Sequence, residues 1–162
     1  MDEKNVALFE RHKVFSAAEM AAVKDILLEH YCKQMNIDAS VTSEMVRRDI
    51  VPAVIGFGRS VAEAIDAKDR LAGYHKFPHR AESDLLDRVS VHCDELYQRC
   101  RELDAAIEKT AAIPDLADRA LTYRRVVMAK MALVRESSDA LEDIVSKEAW
   151  PYPSYGNLLY RV

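Results

Sequence analysis

The stretch LDRVSVHCDELYQRCRELDAAI, residues 86–107, decides the fold of this chain. Its apolar residues recur at alternating steps of three and four, which is the heptad spacing of helices that pack along a shared seam. The spacing predicts a helix of about 30 residues, roughly 45 Å long, that starts near Arg80 and packs in a bundle. The seam positions are Leu86, Val89, Cys93, Leu96, Cys100, Leu103 and Ile107.

A second helical pattern lies near the start of the chain. Ser16 and Glu19 have the spacing of a capping box, in which each side chain bonds the backbone amide of the other residue. Phe15 and Met20 have the spacing of a hydrophobic staple across the same helix start. We therefore predict a helix over residues 16–36. Its apolar stripe is Met20, Val23, Leu27, Tyr31 and Met35.

The segment NIDASVTSE, residues 36–44, is rich in capping and turn residues, and it predicts a break in the helix. A second helix should then run to about Lys68. Pro52 lies inside its apolar pattern, and because proline has no N–H, we expect a kink or a split there. The apolar face is Val46, Ile50, Val54, Phe57, Val61 and Ile65.

The remaining breaks define the rest of the architecture. GYHKFP, residues 73–78, is a linker, and Ile113-Pro114-Asp115 ends one helix and begins the last long one, which must end before Pro151. No segment shows the alternation typical of strands. We predict one all-α domain over residues 1–162, an antiparallel bundle of about four long helices, of which the third and fourth form a long hairpin.

The chain ends in the uncharged tail WPYPSYGNLLYRV, residues 150–162, which holds four of its twelve aromatic residues. Two prolines should keep its first part extended. Burial of large aromatic side chains contributes several kcal/mol. We therefore expect the tail to pack back on the bundle through Trp150, Tyr155, Leu158 and Leu159. Contact with another domain or subunit and a free end are the alternatives.

Composition excludes several classes of function. The net charge is 23 − 27 = −4, which gives nucleic-acid binding little electrostatic support. The longest uncharged run, residues 149–160, is shorter than the ~20 apolar residues that cross a bilayer, so no membrane partner is expected. The first residues are not those of a signal peptide. Three cysteines form no disulfide framework, which favours a reducing cytoplasm.

Candidate metal ligands are sparse. His75 and His79 are four residues apart, but Pro78 lies between them in the linker, so a solvated linker is the preferred interpretation over a metal pair. A di-iron carboxylate bundle needs a Glu-x-x-His pair on each of two helices. The sequence contains no Glu-x-x-His. We predict no metal ligand.

Other motifs also favour structural roles. Cys93 and Cys100 lie two helical turns apart, too far for a disulfide, and are interpreted as small core residues. Gly56-Phe57-Gly58 lacks the spacing of a phosphate loop, and its glycines are expected to allow close packing beside Pro52. The pairs Arg47-Arg48 and Arg124-Arg125 are interpreted as solvated faces or ion pairs. We therefore predict no catalytic or cofactor-binding residue.

Three longer segments carry a resemblance to a known family. They are VALFERHKVFSAAEM (6–20), LLEHYCKQMNIDASVTSEMVRRDIVPAVIGF (27–57) and EAWPYPSYGNLLYRV (148–162). Together with the helical hairpin they resemble the C-terminal region of type III glutamine synthetases, which join ammonia to glutamate with ATP. One departure is Met128, where members often have a proline, so this helix is expected to run straighter.

The resemblance implies that catalysis and assembly belong to different parts of the parent chain. The parent chain would be a glutamate–ammonia ligase using ATP and Mg, with its catalytic domain upstream, and it would form a homo-oligomer. These 162 residues would be its inactive helical part, with a structural or assembly role, and Met1 would not be the natural start. The alternative is a free-standing helical adaptor that binds a partner helix or peptide; a small helical enzyme is a third hypothesis.

Overall fold

The computed structural model describes residues 2–71, 73–153 and 155–159. The described residues are helices and their connections, without a strand, which confirms the predicted all-α class. In chain order they form α1 (Glu3–Arg11), α2 (Ala17–Met45), a π-helical turn π1 (Val46–Ile50), α3 (Val51–Arg70), α4 (Arg80–Ala111), α5 (Leu116–Thr122), a second π-helical turn π2 (Tyr123–Val127), α6 (Met128–Glu142) and α7 (Tyr155–Leu159).

The start of α2 is capped as its sequence predicts. The amide of Glu19 donates to Oγ of Ser16 at 3.2 Å, and the amide of Ser16 donates to the Glu19 carboxylate at 2.8 Å. The bond from the Ser16 amide lowers the pKa of Glu19. The amide of Ala17 also donates to Glu10 of α1, at 3.0 Å. These bonds join α1, which the sequence analysis missed, to the first turn of α2.

The predicted break at residues 36–44 is wrong, because α2 continues to Met45 and passes through π1 directly into α3. Thr42 does not cap a helix end; its hydroxyl donates to the carbonyl of Asp38, one turn earlier, at 2.8 Å. Ala39 and Ser43 are buried against the rest of the bundle. Tertiary packing therefore overrides the local preference of this segment for caps and turns. The first two predicted helices are one long helical rod.

Pro52 is accommodated by π1. The amide of Val51 donates to the carbonyl of Val46, five residues back, and Pro52 follows in the first turn of α3. The wider π-helical hydrogen bond is therefore made by Val51, one residue before Pro52, which has no N–H to donate. The predicted irregularity at Pro52 is a widened turn.

The last long helix contains a similar turn without a proline. The amide of Met128 donates to the carbonyl of Tyr123, again five residues back. Tyr123 and Val127, at the two ends of π2, are both buried. The straighter helix expected from Met128 is therefore not a regular one, since a π-helical turn ends directly before this residue.

The hairpin of α4 with α5, π2 and α6 is confirmed. Lys130 of α6 pairs with Glu102 of α4 at 2.6 Å, and Arg99 of α4 pairs with Glu136 of α6 at 3.2 Å. As the residue number rises on α6, that of its partner on α4 falls, so the two helices are antiparallel.

The rod formed by α2, π1 and α3 also packs antiparallel to α4. An ion pair joins Lys68 of α3 to Glu82 of α4. Nearer the middle of the rod, Ser43 of α2 contacts Cys100 of α4 at 3.2 Å. The pairing again runs in opposite directions along the two helices. The helix α4 therefore packs against both the rod and α6, and the rod also contacts π2, where the hydroxyl of Tyr123 donates to Asn36 of α2 at 3.0 Å.

The heptad seam of α4 forms the centre of the core. All seven seam residues are buried or half-buried. Leu96 and Leu103 are fully shielded from solvent, and they pack in one hydrophobic cluster with residues of α2, π1, π2 and α6. Core burial, rather than local propensity alone, holds these helices together.

Candidate functional site

A broad exposed apolar surface lies on α1 and the first half of α2. No residue of the described range 2–31 is buried, and the first buried residue of α2 is Cys32. Ile26 and Leu27 are 64% and 62% exposed. The predicted stripe of α2 therefore has no bundle partner over its first half. Exposed apolar residues on this surface, called here the α1–α2 face, are Leu8, Phe9, Val14, Phe15, Val23, Ile26 and Leu27.

A cavity of about 550 Å³ separates α1 from α2 on this face. Phe9 and Phe15 both line it, with their ring centroids 6.1 Å apart. Met20, the predicted staple partner of Phe15, lines the same cavity. Contiguous exposed apolar surface of this kind marks contact sites for other polypeptide segments or membranes. None of the described helices is long and apolar enough to cross a membrane.

A polar network crosses the interface of α2 and α4. The buried hydroxyl of Ser43 donates to Asp104 at 2.6 Å, and Arg47 donates to the Ser43 oxygen at 2.7 Å. Arg47 also pairs with Asp104 at 3.0 Å. Cys100 contacts the same hydroxyl. The network gives each of these side chains a hydrogen-bond partner, and it fixes the register of the rod on α4.

The two arginine pairs of the sequence both lie in π-helical turns. Arg47 pairs with Asp104, and Arg48 pairs with Glu44 one turn earlier, so the ion-pair interpretation is confirmed for this pair. Arg124 and Arg125 of π2 are exposed, as expected of a solvated face. Within the described residues neither has an ion-pair partner within 4.0 Å.

The described part of the tail returns to the bundle through two aromatic side chains. Trp150 and Tyr152 are half-buried and pack against the core cluster. The hydroxyl of Tyr152 donates to Asp49 of π1 at 2.8 Å. Burial raises the pKa of Tyr152 to about 12, and the bond to Asp49 acts in the same direction.

The second half of the tail differs from its prediction. Leu158 and Leu159 of α7 were expected to pack back but are 63% and 72% exposed. The side chain of Tyr155 lies outside what the structure describes. A five-residue helix offers little surface, and the half-buried Trp150 and Tyr152 already occupy the adjacent part of the core.

A groove of about 570 Å³ lies between π1, α6 and the tail. Met45 and Met131 line two of its walls, and Trp150 and Leu158 line the wall that the tail supplies. The charged residues Arg135 and Asp139 of α6 form an ion pair at 3.5 Å at its edge. The groove could hold an apolar side chain of a partner.

The predicted metal candidates have other partners. His75 packs edge-on against Phe77 with ring centroids 4.8 Å apart, whereas His79 contacts Ser83 at 3.1 Å and Asp69 at 3.4 Å. The two histidines therefore have separate partners and do not converge on one metal position. No group of three or more His, Cys, Asp or Glu side chains with metal-binding geometry occurs in the part of the chain that the structure describes.

The cysteines and glycines are structural. Burial raises the pKa values of the Cys93 and Cys100 thiols, so both stay protonated and unreactive at neutral pH, as core residues do. The close-packing prediction is wrong for Gly56, because a Cβ there would meet nothing within 4 Å. At Gly58 a Cβ would lie 3.7 Å from Leu86, which is an ordinary contact.

Sequence reasoning missed α1 and with it the α1–α2 face. Asp2 caps α1 by accepting the amide of Lys4 at 3.0 Å, and Glu3 follows in the first turn. This acidic cap, with Val6 and Phe9 three residues apart, is the signal that could have located the helix. The exposure of Leu27 had no sequence signal, because a stripe looks the same whether or not a partner covers it.

The family model described as Glutamine synthetase C-terminal domain matches residues 1–69. The chain is similar to the Type-3 glutamine synthetase of Dictyostelium discoideum, with 27% identity over 98% of this chain and 22% of the relative. It is also similar to the glutamine synthetase of Butyrivibrio fibrisolvens, with 25% identity over 99% of the chain and 23% of the relative.

A third relative is the glutamine synthetase of Bacteroides fragilis, 20% identical over 98% of the chain and 22% of its own length. No solved structure matches. The chain spans about a fifth of the length of the curated relatives it matches. The family match covers the α1–α2 face and most of the rod, and the similarity to the relatives runs through the hairpin and tail. Residues 1–69 therefore match the glutamine synthetase C-terminal domain family, and nearly the whole chain is similar to about a fifth of each of these glutamine synthetases.

Proposed function

We propose that residues 1–162 form a single, non-catalytic helical domain of a type III glutamine synthetase, with a role in its assembly. The parent enzyme would be a glutamate–ammonia ligase that uses ATP and Mg²⁺ and forms a homo-oligomer in the cytoplasm. Support comes from similarity over nearly the whole chain to about a fifth of each relative. A piece of that size has room for a role other than catalysis.

The α1–α2 face is the observation that carries the assembly role. Ile26 and Leu27 together with Phe9 and Phe15 present an apolar surface beyond the end of the bundle core. The remaining four-fifths of the relatives' length supplies a partner of the right kind, a folded catalytic domain in the same polypeptide. Burial of such a surface contributes ~25 cal/mol per Å². We therefore assign the α1–α2 face to contact with that domain.

ATP and Mg²⁺ are assigned to the rest of the parent chain. Mg²⁺ takes oxygen ligands, usually one or two carboxylates together with substrate phosphates. The described residues bring no group of three candidate ligands together, so they do not fit a metal site, and no catalytic step is attributed to them. The 162-residue chain should form no glutamine from glutamate, ammonia, ATP and Mg²⁺; turnover would contradict the non-catalytic assignment.

The docking assignment is tested in the longer enzyme. Ile26→Glu should weaken its assembly and lower its yield of full-size oligomer, measured by light scattering after gel filtration. Ile37→Glu is the matched control, because Ile37 is also exposed on α2 but lies in its second half, outside the α1–α2 face. Equal oligomer yields for both variants would remove the α1–α2 face from the interface.

A free-standing adaptor is the second candidate, and the groove between π1, α6 and the tail favours it. Met45 and Met131 line this groove, and methionine-lined surfaces adapt to varied partners. The gene on the 5′ side of the Met1 codon separates the two candidates. A reading frame that continues into a ligase catalytic region supports the first, whereas a stop codon and a ribosome-binding site support the adaptor.

A further inference from the structure

The hairpin formed by α3 and the first half of α4 has an open apolar groove on its outer face. The groove has a volume of about 610 Å³ and lies on the two helices alone. Ile55 of α3 and Tyr97 of α4 stand at its sides and are 61% and 50% exposed. Within the described residues, α6 ends at Glu142 and no third helix lines this groove.

The floor of the groove is made of small residues. Gly58 and Ala62 contribute from α3, and Ser90 contributes from α4. Space above Gly58 is sufficient for an added Cβ, which would lie 3.7 Å from Leu86. The hydroxyl of Ser90 donates to the carbonyl of Leu86 at 2.7 Å, so its bonding is satisfied within the helix and it can be covered without a lost hydrogen bond.

One surface therefore carries both projecting side chains and a hollow that could receive them. This is the property required of a two-fold interface, in which the same patch on both copies must be self-complementary. Two antiparallel helices with an open apolar side are also half of a four-helix bundle. We propose that a second copy of this chain binds here, hairpin to hairpin, and completes a four-helix arrangement.

The charges beside the groove fit this pairing. Arg59, which pairs with Glu63 of the same helix at 2.8 Å, lines the α3 side, and Asp94 lines the α4 side. Rotation by two-fold symmetry about the long axis of the groove places α3 of one copy against α4 of the other. Arg59 of each copy then faces Asp94 of its partner, so the guanidinium gains a second carboxylate in this orientation.

The available area suits a dimer of modest affinity. The 20 residues of α3 extend about 30 Å, and helices packed 8–10 Å apart give the pair a face about 20 Å wide. Each copy could therefore bury about 600 Å², or about 1,200 Å² in total, at the lower end of specific interfaces. Dissociation constants in the micromolar range are typical of weak interfaces of this size.

This inference rests on the assembly role proposed above and deepens it by naming a surface and a partner. It uses a different face from the contact with the catalytic domain, so the two can be tested separately. Sedimentation equilibrium of the 162-residue chain, from about 1 to about 200 µM, should show a reversible monomer–dimer equilibrium. A wild-type chain that stays monomeric over this range would overturn the inference.

Point variants locate the interface. Ile55→Glu should weaken dimerisation at least about tenfold, since an uncompensated buried carboxylate costs well over 1.4 kcal/mol. Ile26→Glu is its matched control, because the same change is made at an equally exposed isoleucine on the α1–α2 face, and it should leave the dimer unchanged. Loss of the dimer in Ile26→Glu but not in Ile55→Glu would refute the hairpin surface.

Two further sets of variants test whether loss of the dimer reflects misfolding and whether the pairing is two-fold. Ala62→Arg fills the floor at an exposed position and should also weaken the dimer while leaving the circular dichroism melt unchanged. Arg59→Asp and Asp94→Arg should each weaken association, and the combined variant should recover it. A combined variant as weak as the single ones would overturn the two-fold pairing. Failure here is distinguishable from failure of the proposed function, which Ile26→Glu tests in the longer enzyme.

Discussion

The hydroxyl of Tyr152 donates a hydrogen bond to Oδ2 of Asp49 across 2.8 Å, although the two residues are 103 positions apart in the chain. The bond ties the tail to π1, at the turn that precedes Pro52. It is a side-chain contact between the tail and the rod, whereas Trp150 contributes apolar packing against the core. In the described part of the tail, Tyr152 therefore contributes a hydrogen bond, and both Trp150 and Tyr152 contribute apolar packing.

Tyr152→Phe should lower the free energy of unfolding by about 1 kcal/mol, because it removes the hydroxyl and leaves the ring in place. Urea denaturation followed by circular dichroism measures the change. Asp49→Ala in the same background should add little further loss, since both changes delete one bond. Fully additive effects in the double variant would show that the two residues do not interact.

High pH should loosen the tail. The folded state raises the pKa of Tyr152 from its ordinary value near 10 to about 12, so the folded chain holds this proton more tightly than the unfolded one. Its contribution to stability is fully present below pH 10 and is lost as the pH rises towards 12. Wild type should lose more stability than Tyr152→Phe across this window, as measured by urea midpoints. Equal losses of stability in the two proteins would contradict the raised pKa of Tyr152.

Trp150→Ala should destabilise the chain by about 2 kcal/mol, because a half-buried indole covers roughly 100 Å² of apolar surface. Thermal unfolding of the variant provides the measurement. Leu159→Ala is the control, since Leu159 is mostly exposed and its loss should change the midpoint little. Removal of residues 150–162 should lower the midpoint at least as much as Trp150→Ala, and an unchanged midpoint would exclude a stabilising tail.

The two buried serines should respond in opposite ways. Ser43→Ala should cost about 1 kcal/mol, because Asp104 and Arg47 each lose a partly buried hydrogen bond but keep their ion pair with each other. Ser137 is equally buried, but its hydroxyl has no hydrogen-bond partner among the residues that the structure describes. Ser137→Ala should therefore be neutral or stabilising. Guanidinium unfolding of both variants tests this contrast, and similar losses would mean that the Ser43 network contributes nothing specific.

The heptad seam should dominate the stability of the bundle. Leu96→Ala should cost about 2–5 kcal/mol through lost burial and the cavity that remains. Val91→Ala, on the exposed side of α4, should cost less than about 0.5 kcal/mol. Thermal or chemical unfolding measures both. A small loss for Leu96→Ala would mean that the seam is not the centre of the core.

The sequence by itself determined the helices that have strong local signals. The three-and-four spacing of α4 specifies one buried side, so Leu96 and Leu103 are central in any packing of this helix. The capping box at Ser16 and Glu19 closes within four residues, so it forms without help from the rest of the fold. All-α class and the hairpin followed from such local patterns.

Only the tertiary structure decided where packing overrides the local preference for caps and turns. Residues 36–44 favour a break, yet Ala39 and Ser43 are buried against the bundle, and the energy of that packing keeps the helix continuous. It also decided which apolar residues stay uncovered. Periodicity places both Leu27 and Leu96 on an apolar stripe of their helices. However, α4 packs against α3 and α6, whereas the start of α2 extends beyond the bundle core. Burial depends on which helices meet, and that is a property of the whole fold.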